Sequence, residues 1–499
     1  MPPTIVIGGG IAGLIQSIEL SSLGENVILI EKESNLGGFH TPHYLEELDC
    51  FIDSVLPCYS SSASFTDFMN RHGLSDDISS SSPVSFRYHF PSFYCDVPSS
   101  YNAFHDLLTS MCPPQDQKPL LHALSKIQSL AYQFSQYYSM QDSHILTKIA
   151  SVPLYPLTKK DLVLYYNSTV ESLLTPISNS VIRSLLSFFC VLIGQPPSSM
   201  SCSFYANFLV NLFSEGATFG PSVNCLLNQL INRAKELGVT FMLNTTVKQI
   251  LFEQDGWRSI RAKGVLTGDG SKVIGDHVYF TGNPCDLNRV DHPLISEDFS
   301  YRVLKRSGHF IKEIANEQLK SSFAAVHFVV NPLSINVFQS IFNDISLHYV
   351  SATTASPSFS SCLTKEDVEV VEVVANWEGW KSGNLNTCPL CLYVNQKGQN
   401  NYILSAFMYF NTSVSSRVEQ LCADDVMVTI TSRLKSSWAE FENEDNFVHV
   451  FYQESKVIPG FCPNIDRDFF KFPVSHVNNF TVLGSWKSYD STLSSLFND

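Results

Sequence analysis

The sequence predicts an α/β protein built on a Rossmann-type parallel sheet and joined to a second domain of mixed α+β character. Three observations carry this. A short apolar, β-branched run, "TIVIG" from Thr4, leads through the glycine-dense turn "GGGIAG" into a helical stretch ending at Gly24. A second apolar strand, "NVILIE", follows at once and ends on Glu31. After a long, mostly helical interval, strand patterning returns in "GVTFMLNTTVKQILFE" and again near the C-terminus in "FTVLG".

Glycines gather wherever a chain turns tightly, so the turn alone says little; the order strand, turn, helix gives it meaning. In a dinucleotide-binding fold Gly8 permits the turn, Gly10 lets a pyrophosphate approach the backbone, and Gly13 lets helix and strand pack closely. The helix opens at Ile11 and Ala12, and its N-terminus is where the anion rests. Glu31 falls about 20 residues beyond the turn, where a carboxylate accepts hydrogen bonds from both hydroxyls of an adenosine ribose.

The loop that follows carries the glycine pair Gly37 and Gly38, which lets another backbone or a ligand come close. Serine-rich "SDDISSSSPVS" from Ser75 reads as an exposed loop, and "CPPQDQKP" from Cys112 as a helix boundary. Residues 115 to 213 are patterned as helices, with Pro-marked breaks at "SVPLYPLTKKD" and "GQPPSSMS". In the returning strands, "GDG" and "KVIGD" are expected to form hairpin turns. From about 291 to 470, strands such as "AAVHFVV" and "YILSAFMYF" alternate with helices such as "ADDVMVTITSRLKSSWAEF".

The 499-residue chain is 44% hydrophobic and only 16% charged, which fits a large core or an apolar cavity and excludes a disordered chain. A formal net charge of −15, with no basic stripe, argues against nucleic acid as a partner. The chain enters its first strand almost at once, so no secretory signal is expected and a cytoplasmic location is. The longest apolar run, "SLLSFFCVLIG" from Ser184, is too short to span a bilayer; it reads as a buried helix, or as a membrane-touching lip within residues 184–213. Thirteen scattered cysteines read as free thiols. The single C-x-x-C, Cys388 and Cys391, has no second pair at zinc spacing, and no metal site is expected. The sequons at Asn167, Asn244, Asn411 and Asn479 are then chance matches.

Three stretches resemble the flavin-dependent amine oxidase and phytoene desaturase superfamily. "IVIGGGIAGLIQSIELSSLGENVILIEKESNLGG" matches its extended dinucleotide motif, trailing glycine pair included. "GATFGPSVNCLLNQLINRAKELGVTFMLNTTVKQI" is similar to its returning segment, in which a valine, here Val247, lies beside the adenine. "ISNSVIRSLLSFFCVLIGQPPSSMSCSFYANFLVNLFSEGATFG" resembles the helical stretch of the phytoene desaturase-like and retinol saturase-like branch.

The resemblance implies FAD as cofactor, bound by a discontinuous domain of three-layer β/β/α form in segments 1–95, 214–290 and 471–499. It implies a helical substrate-domain segment at 96–213 and a mixed α/β one at 291–470. The implied cofactor contacts are Gly8, Gly10, Ile11, Ala12, Gly13, Glu31, Lys32, Gly37, Gly38, Phe39, Val247, Gly484 and Ser485. Three positions depart from the family pattern. Members commonly have Arg where Phe39 stands and an acidic residue where Ser485 follows Gly484, and "FGPSV" replaces a Pro followed by a glycine pair. Adenosine-end elements are intact, and flavin-end elements are eroded.

The leading expectation is a flavin oxidoreductase of desaturase, saturase or isomerase type, acting on an apolar substrate of polyene or isoprenoid kind. The cofactor would carry that chemistry, and no catalytic side chain stands out. His40 and His43, just after the glycine pair, read as loop histidines. An amine or porphyrinogen oxidase is the first alternative, with "SWKSYD" near Gly484 supplying aromatics. A degenerate flavin-fold protein that binds a nucleotide or a partner without turnover is the second.

Overall fold

Residues Ile5, Val6 and Ile7 offer no polar side chain to either face of a strand, so water must be excluded from both sides. In the computed structural model, strand β1 (Thr4–Ile7) is buried throughout and forms the centre of a five-stranded sheet. The structure describes residues 2–46, 49–55, 58–60, 63–74, 86–90, 93–142, 165, 168–193, 196–198, 200–214, 217–219, 223–255, 259–282, 287, 294–295, 320–342, 347–350, 361–362, 364–365, 384–397, 401–411, 423–459 and 477–482.

The chain forms two compact units. The first comprises Met1–Ser82, Thr218–Gln318 and Asn464–Asp499, and the second Pro83–Ala217 and Leu319–Pro463. In the first unit, helix α1 (Ile11–Ser22) crosses from β1 to β2 (Val27–Ile30). Helix α2 (Val223–Glu236) then leads into β3 (Thr240–Met242). Next come β4 (Val247–Asp255), β5 (Ser259–Thr267), β6 (Lys272–Ile274) and β7 (His277–Phe280). Two short strands, β8 (Val477–Asn478) and β9 (Phe480–Val482), come from the last segment.

The main sheet runs β9-β7-β1-β2-β3 and every pairing is parallel. Ile5, Val6 and Leu29 of the sheet and Leu14 and Ile18 of α1 are all fully buried. Each such side chain contributes roughly 1.5–3 kcal/mol through burial. β1 is therefore flanked by β2, its neighbour in sequence, and by β7, which arrives some 270 residues later. That reversal of strand order beside β1 is the switch point at which open parallel sheets bind ligands.

A second sheet holds β4, β5 and β6 in antiparallel order, with β8 parallel to β5. "GDG" closes the β5–β6 hairpin as expected: Thr267 N–H bonds Ser271 O at 2.9 Å and Gly270 takes φ +87°. "KVIGD" does not form a hairpin turn. β6 pairs with β5 while β7 pairs with β1, so this stretch carries the chain from one sheet to the other. Gly275 is needed there because a Cβ would lie 2.5 Å from Pro3 O. Asn479 makes the reverse step between β8 and β9, at φ +55°. Its side-chain amide accepts from Ala262 N–H at 3.0 Å and donates to Ala262 O and Asp276 O.

The second unit is built on an eight-stranded sheet. In spatial order its strands are Ser361–Cys362, Phe93–Val97, Phe86–His89, Leu347–Val350, Leu390–Lys397, Asn401–Asn411, Lys320–Val330 and Phe447–Pro459. The strands at 86–97 were expected, as far as residue 95, in the first nucleotide-binding segment. They belong to this unit because their ladder partners, 347–350 and 361–362, come from it. One sheet face packs under the helix Ala423–Ser437 through Ile430, Leu434, Phe328 and Leu404. A helical layer contains Tyr101–Met111, Gln117–Asp142, Ser180–Ser187 and Cys202–Ser214. Leu185, Leu186, Phe188, Phe189, Cys190 and Val191 are buried there. Within the apolar run, the ring of Phe189 packs edge-on against Phe104 and Phe213, as the reading of a buried helix expects. Among the described residues no helix is long and apolar enough to cross a membrane.

Candidate nucleotide site

At the carboxyl end of β1 the chain turns at Gly8, whose φ of +107° excludes other residues without strain. Helix α1 starts after Gly10, with no side-chain cap and no acidic residue in its first turn. Leu14 N–H is the first to find its intrahelical partner, Gly10 O at 3.0 Å. The amides of Ile11, Ala12 and Gly13 precede that bond and point out of the helix end with its positive dipole. Among the described residues, a Cβ on Gly10 would meet nothing within 4 Å, so the start of the helix is not crowded on that side. A Cβ on Gly13 would lie 1.9 Å from Gly8 O, which is why helix and turn can close only on glycine.

The glycine pair packs against this turn. Gly37 N–H bonds Gly9 O at 2.8 Å, and Gly10 and Gly37 form an isolated parallel bridge. Gly37 and Gly38 take φ of +124° and +55°, and a Cβ on Gly38 would lie 3.2 Å from Gly10 Cα. Their function is therefore close backbone approach. Phe39 follows in a 3-10 turn, half-buried and set edge-on to His40 at 5.4 Å. His43 is exposed in a short strand paired with Cys50–Ile52.

Glu31 is only 7% exposed, and both of its carboxylate oxygens are engaged. Oε2 accepts from Gly9 N–H at 2.5 Å and Oε1 from Glu33 N–H at 3.0 Å. A carboxylate offers about four acceptor positions, so about two remain, enough for a pair of vicinal hydroxyls. Lys32 is exposed and pairs with Glu33 at 3.6 Å. The return from β3 is stitched to the same strand end: Asn244 N–H bonds Glu33 O and Thr245 N–H bonds Glu31 O, at 3.0 and 2.9 Å. Val247, buried at the head of β4, follows two residues after Thr245. Gly484 and Ser485 lie outside the described residues.

Two contributors were not read from the sequence. Thr281 follows β7, and its hydroxyl lies 3.0 Å from both Ile7 O and Gly8 O. Asp53, buried, accepts from Asn224 N–H at 3.4 Å in the first turn of α2. The one sequence signal for Thr281 is the Thr-Gly step that ends the apolar run "HVYF".

The arrangement fits the adenosine diphosphate half of a dinucleotide: uncapped helix amides for the phosphates, a partly committed carboxylate for the ribose, and a valine strand end for the base. The C-x-x-C cysteines sit elsewhere, in the second unit. Cys388 belongs to the core under the 423–437 helix, while Cys391 alternates with Leu390 and Leu392 and so faces the other side of the sheet. Burial pushes the Cys388 thiol up to about 12, and it raises that of Cys391 as well. Among the described residues no group of three His, Cys, Asp or Glu side chains could hold a metal ion.

The sequence profile of the flavin-containing amine oxidoreductase family matches residues 11–306, more than half of the chain. Several solved structures share the fold. Cyclohexylamine oxidase from Brevibacterium oxydans IH-35A aligns with a TM-score of 0.59 at 11% identity, covering 100% of this chain and 96% of that one. Putrescine oxidase bound to putrescine gives 0.57 at 12%, covering 99% and 96%. An oxidoreductase from Methanosarcina mazei gives 0.56 at 12%, covering 97% and 94%. At these identities the likeness is one of fold. No curated protein matches the chain in sequence.

Proposed function

The chain belongs to the flavin-containing amine oxidoreductase family, with FAD as its cofactor, and from that premise we propose that it is an FAD-dependent oxidoreductase acting on a small organic substrate. The observation that carries the reading is the uncapped end of α1 beside the half-committed carboxylate of Glu31. When bound, FAD supplies a two-electron acceptor for a hydride from substrate carbon.

The amides of Ile11, Ala12 and Gly13 would hold the pyrophosphate, charge-assisted by the helix dipole. Glu31 would accept from the ribose hydroxyls, and the backbone at Val247 would flank the adenine. Gly37 and Gly38 let the following loop lie against the turn, and Phe39 stands where, by the sequence resemblance, family members commonly have an Arg. Phenylalanine excludes water but donates nothing, and the loop's grip on the phosphates rests on backbone groups.

For substrate class, our reading is a C–C desaturation, saturation or isomerisation on an apolar chain of polyene or isoprenoid kind. It is supported by the resemblance of the 177–220 helical stretch to the desaturase branch. Amine oxidation is the second reading, favoured by the family match and by likeness of fold to two amine oxidases.

The visible spectrum of the purified protein tests both. A bound flavin that photoreduces and reoxidises in air is expected, and heat-released cofactor should chromatograph as FAD. Anaerobic mixing with an isoprenoid polyene should bleach or shift the flavin band, whereas bleaching by primary amines alone selects the second reading. A flavin that binds and never cycles marks a nucleotide-binding protein without turnover and ends both.

A further inference from the structure

The Gly8–Gly9 peptide is held at both ends by side chains from distant parts of the chain. Its carbonyl, Gly8 O, lies 3.0 Å from Thr281 Oγ1. Its N–H, on Gly9, donates to Glu31 Oε2 at 2.5 Å. The peptide unit is planar and trans, so carbonyl and N–H point in opposite directions and fixing both fixes its rotation. Rotation matters here because Gly8 and Gly9 carry no side chain to resist it.

Thr281 is well placed for this. Its N–H bonds Ile7 O at 2.8 Å, continuing the β1–β7 ladder by one residue. Its hydroxyl then reaches both Ile7 O and Gly8 O, a three-centre arrangement for its single proton. The same oxygen lies 2.8 Å from where a Gly8 Cβ would stand and 3.0 Å from where a Gly13 Cβ would stand. It therefore fills the corner between strand end, turn and first helical turn, space that glycine at 8 and 13 leaves open.

We infer that Thr281 is a positioning residue for the nucleotide: with Glu31 it clamps the Gly8–Gly9 peptide, and through that peptide it holds the Glu31 carboxylate in the orientation that meets the ribose. This rests on the proposed reading of the site as the adenosine end of an FAD pocket. If the hydroxyl is removed, the Gly8 carbonyl loses its anchor, the Gly9 N–H is free to swing, and Oε2 of Glu31 turns with it. Stereochemistry elsewhere in the turn stays as it is.

The test compares Thr281→Val, which keeps shape and loses the proton, with Thr281→Ser, which keeps the proton. Full-length apo-protein of each is titrated with ADP and, separately, with FAD, and its melting temperature is recorded. Loss of one oriented hydrogen bond predicts roughly tenfold weaker binding of ADP and of FAD by Thr281→Val. Thr281→Ser should bind within about twofold of wild type. Rescue by serine excludes a purely space-filling role. Wild-type ADP affinity in Thr281→Val overturns the clamp and leaves the flavin reading untouched. Binding of ADP but not FAD by the wild-type chain, still weakened by valine and restored by serine, upholds the clamp and ends the flavin reading. A wild-type chain that binds neither overturns both.

Discussion

Glu31 carries two loads, and replacing it should reveal both. In Glu31→Ala the two acceptor positions left for the ribose disappear. Each charge-assisted bond is typically worth about 1.5–3 kcal/mol, and water partly fills the gap, so the expected loss is roughly 3 kcal/mol, about 150-fold in FAD dissociation constant. The backbone side is separate. Glu33 N–H, near the surface, recovers a partner from water, but Gly9 N–H is buried and loses the oxygen 2.5 Å away. An orphaned buried donor costs about 1–3 kcal/mol, and in a unit of this size each kcal/mol lowers the melting temperature by about 2–4 °C. Fluorescence quenching of FAD titrated into apo-protein measures the first effect, and circular dichroism melts of apo-protein the second. Glu31→Gln, which keeps one acceptor and loses the charge, should fall between wild type and alanine in both. An alanine variant that binds FAD within twofold and melts like wild type as apo-protein refutes the assignment. One that melts lower yet binds normally reduces Glu31 to a staple of the turn.

Three further outcomes are expected. His348 donates from Nε2 to Ile341 O at 3.0 Å, which leaves Nδ1 to accept from His89 Nε2 at 2.8 Å; burial holds both rings neutral, lowering His348 to about 4. The unfolded imidazole, near 6.5, takes up its proton first, so this stability is complete above pH 6.5 and is lost as pH falls toward 4, by about 3 kcal/mol for His348. Wild type should therefore lose more melting temperature between pH 7 and 4.5 than His348→Gln, and equal losses discount the pair. Asp116, 2% exposed, accepts from Ser178 N–H and Asn179 N–H at 2.6 and 2.8 Å and from the Ser178 hydroxyl, so Asp116→Ala should destabilise by about 3 kcal/mol while apo-protein FAD affinity holds; unchanged melting would show the clip to be idle. Phe39→Arg should tighten FAD by supplying a charge-assisted phosphate contact, and native protein should purify with partial occupancy; full occupancy that survives dialysis, with looser binding by the arginine variant, would mean that other groups have taken over this anchor.

The parts of the fold legible in sequence are those whose cause is local. "TIVI", the glycine turn and "NVILIE" encode strand, turn and strand through burial and φ alone, and each stands where it was read. The boundary at 95 left residues 86–95 with the nucleotide-binding segment, because membership is decided by ladder partners some 260 residues away, and no local pattern records a partner. "KVIGD" failed in the same way: its residues suit a tight turn, but Gly275 is there to pass Pro3 O and Ile5. Thr281 was invisible because its function lies in what it touches, the last carbonyl of β1 and the first of the turn after it, some 270 residues earlier in the chain.

A nucleotide site made in this way cannot be separated from the assembly of its unit. The groups around the turn come from residues 7–38, 244–247 and 281, and each bond joining them engages a backbone group: Gly9 N–H to the Glu31 carboxylate, Thr245 N–H to Glu31 O, Thr281 N–H to Ile7 O. Each bond that shapes the ligand's place also closes the sheet around it. The unit must therefore gather its distant segments before it can bind, and a ligand that binds only the gathered state stabilises it by mass action, by about 2.7 kcal/mol at a hundredfold excess over the dissociation constant. It follows that a variant weakened in this turn should recover much of its melting temperature in excess FAD if its fault lies in assembly, and little if its fault lies in contact with the ligand. For Glu31→Ala both faults are present, so saturating FAD should restore less melting temperature than it adds to wild type, and a full restoration would contradict the ribose role.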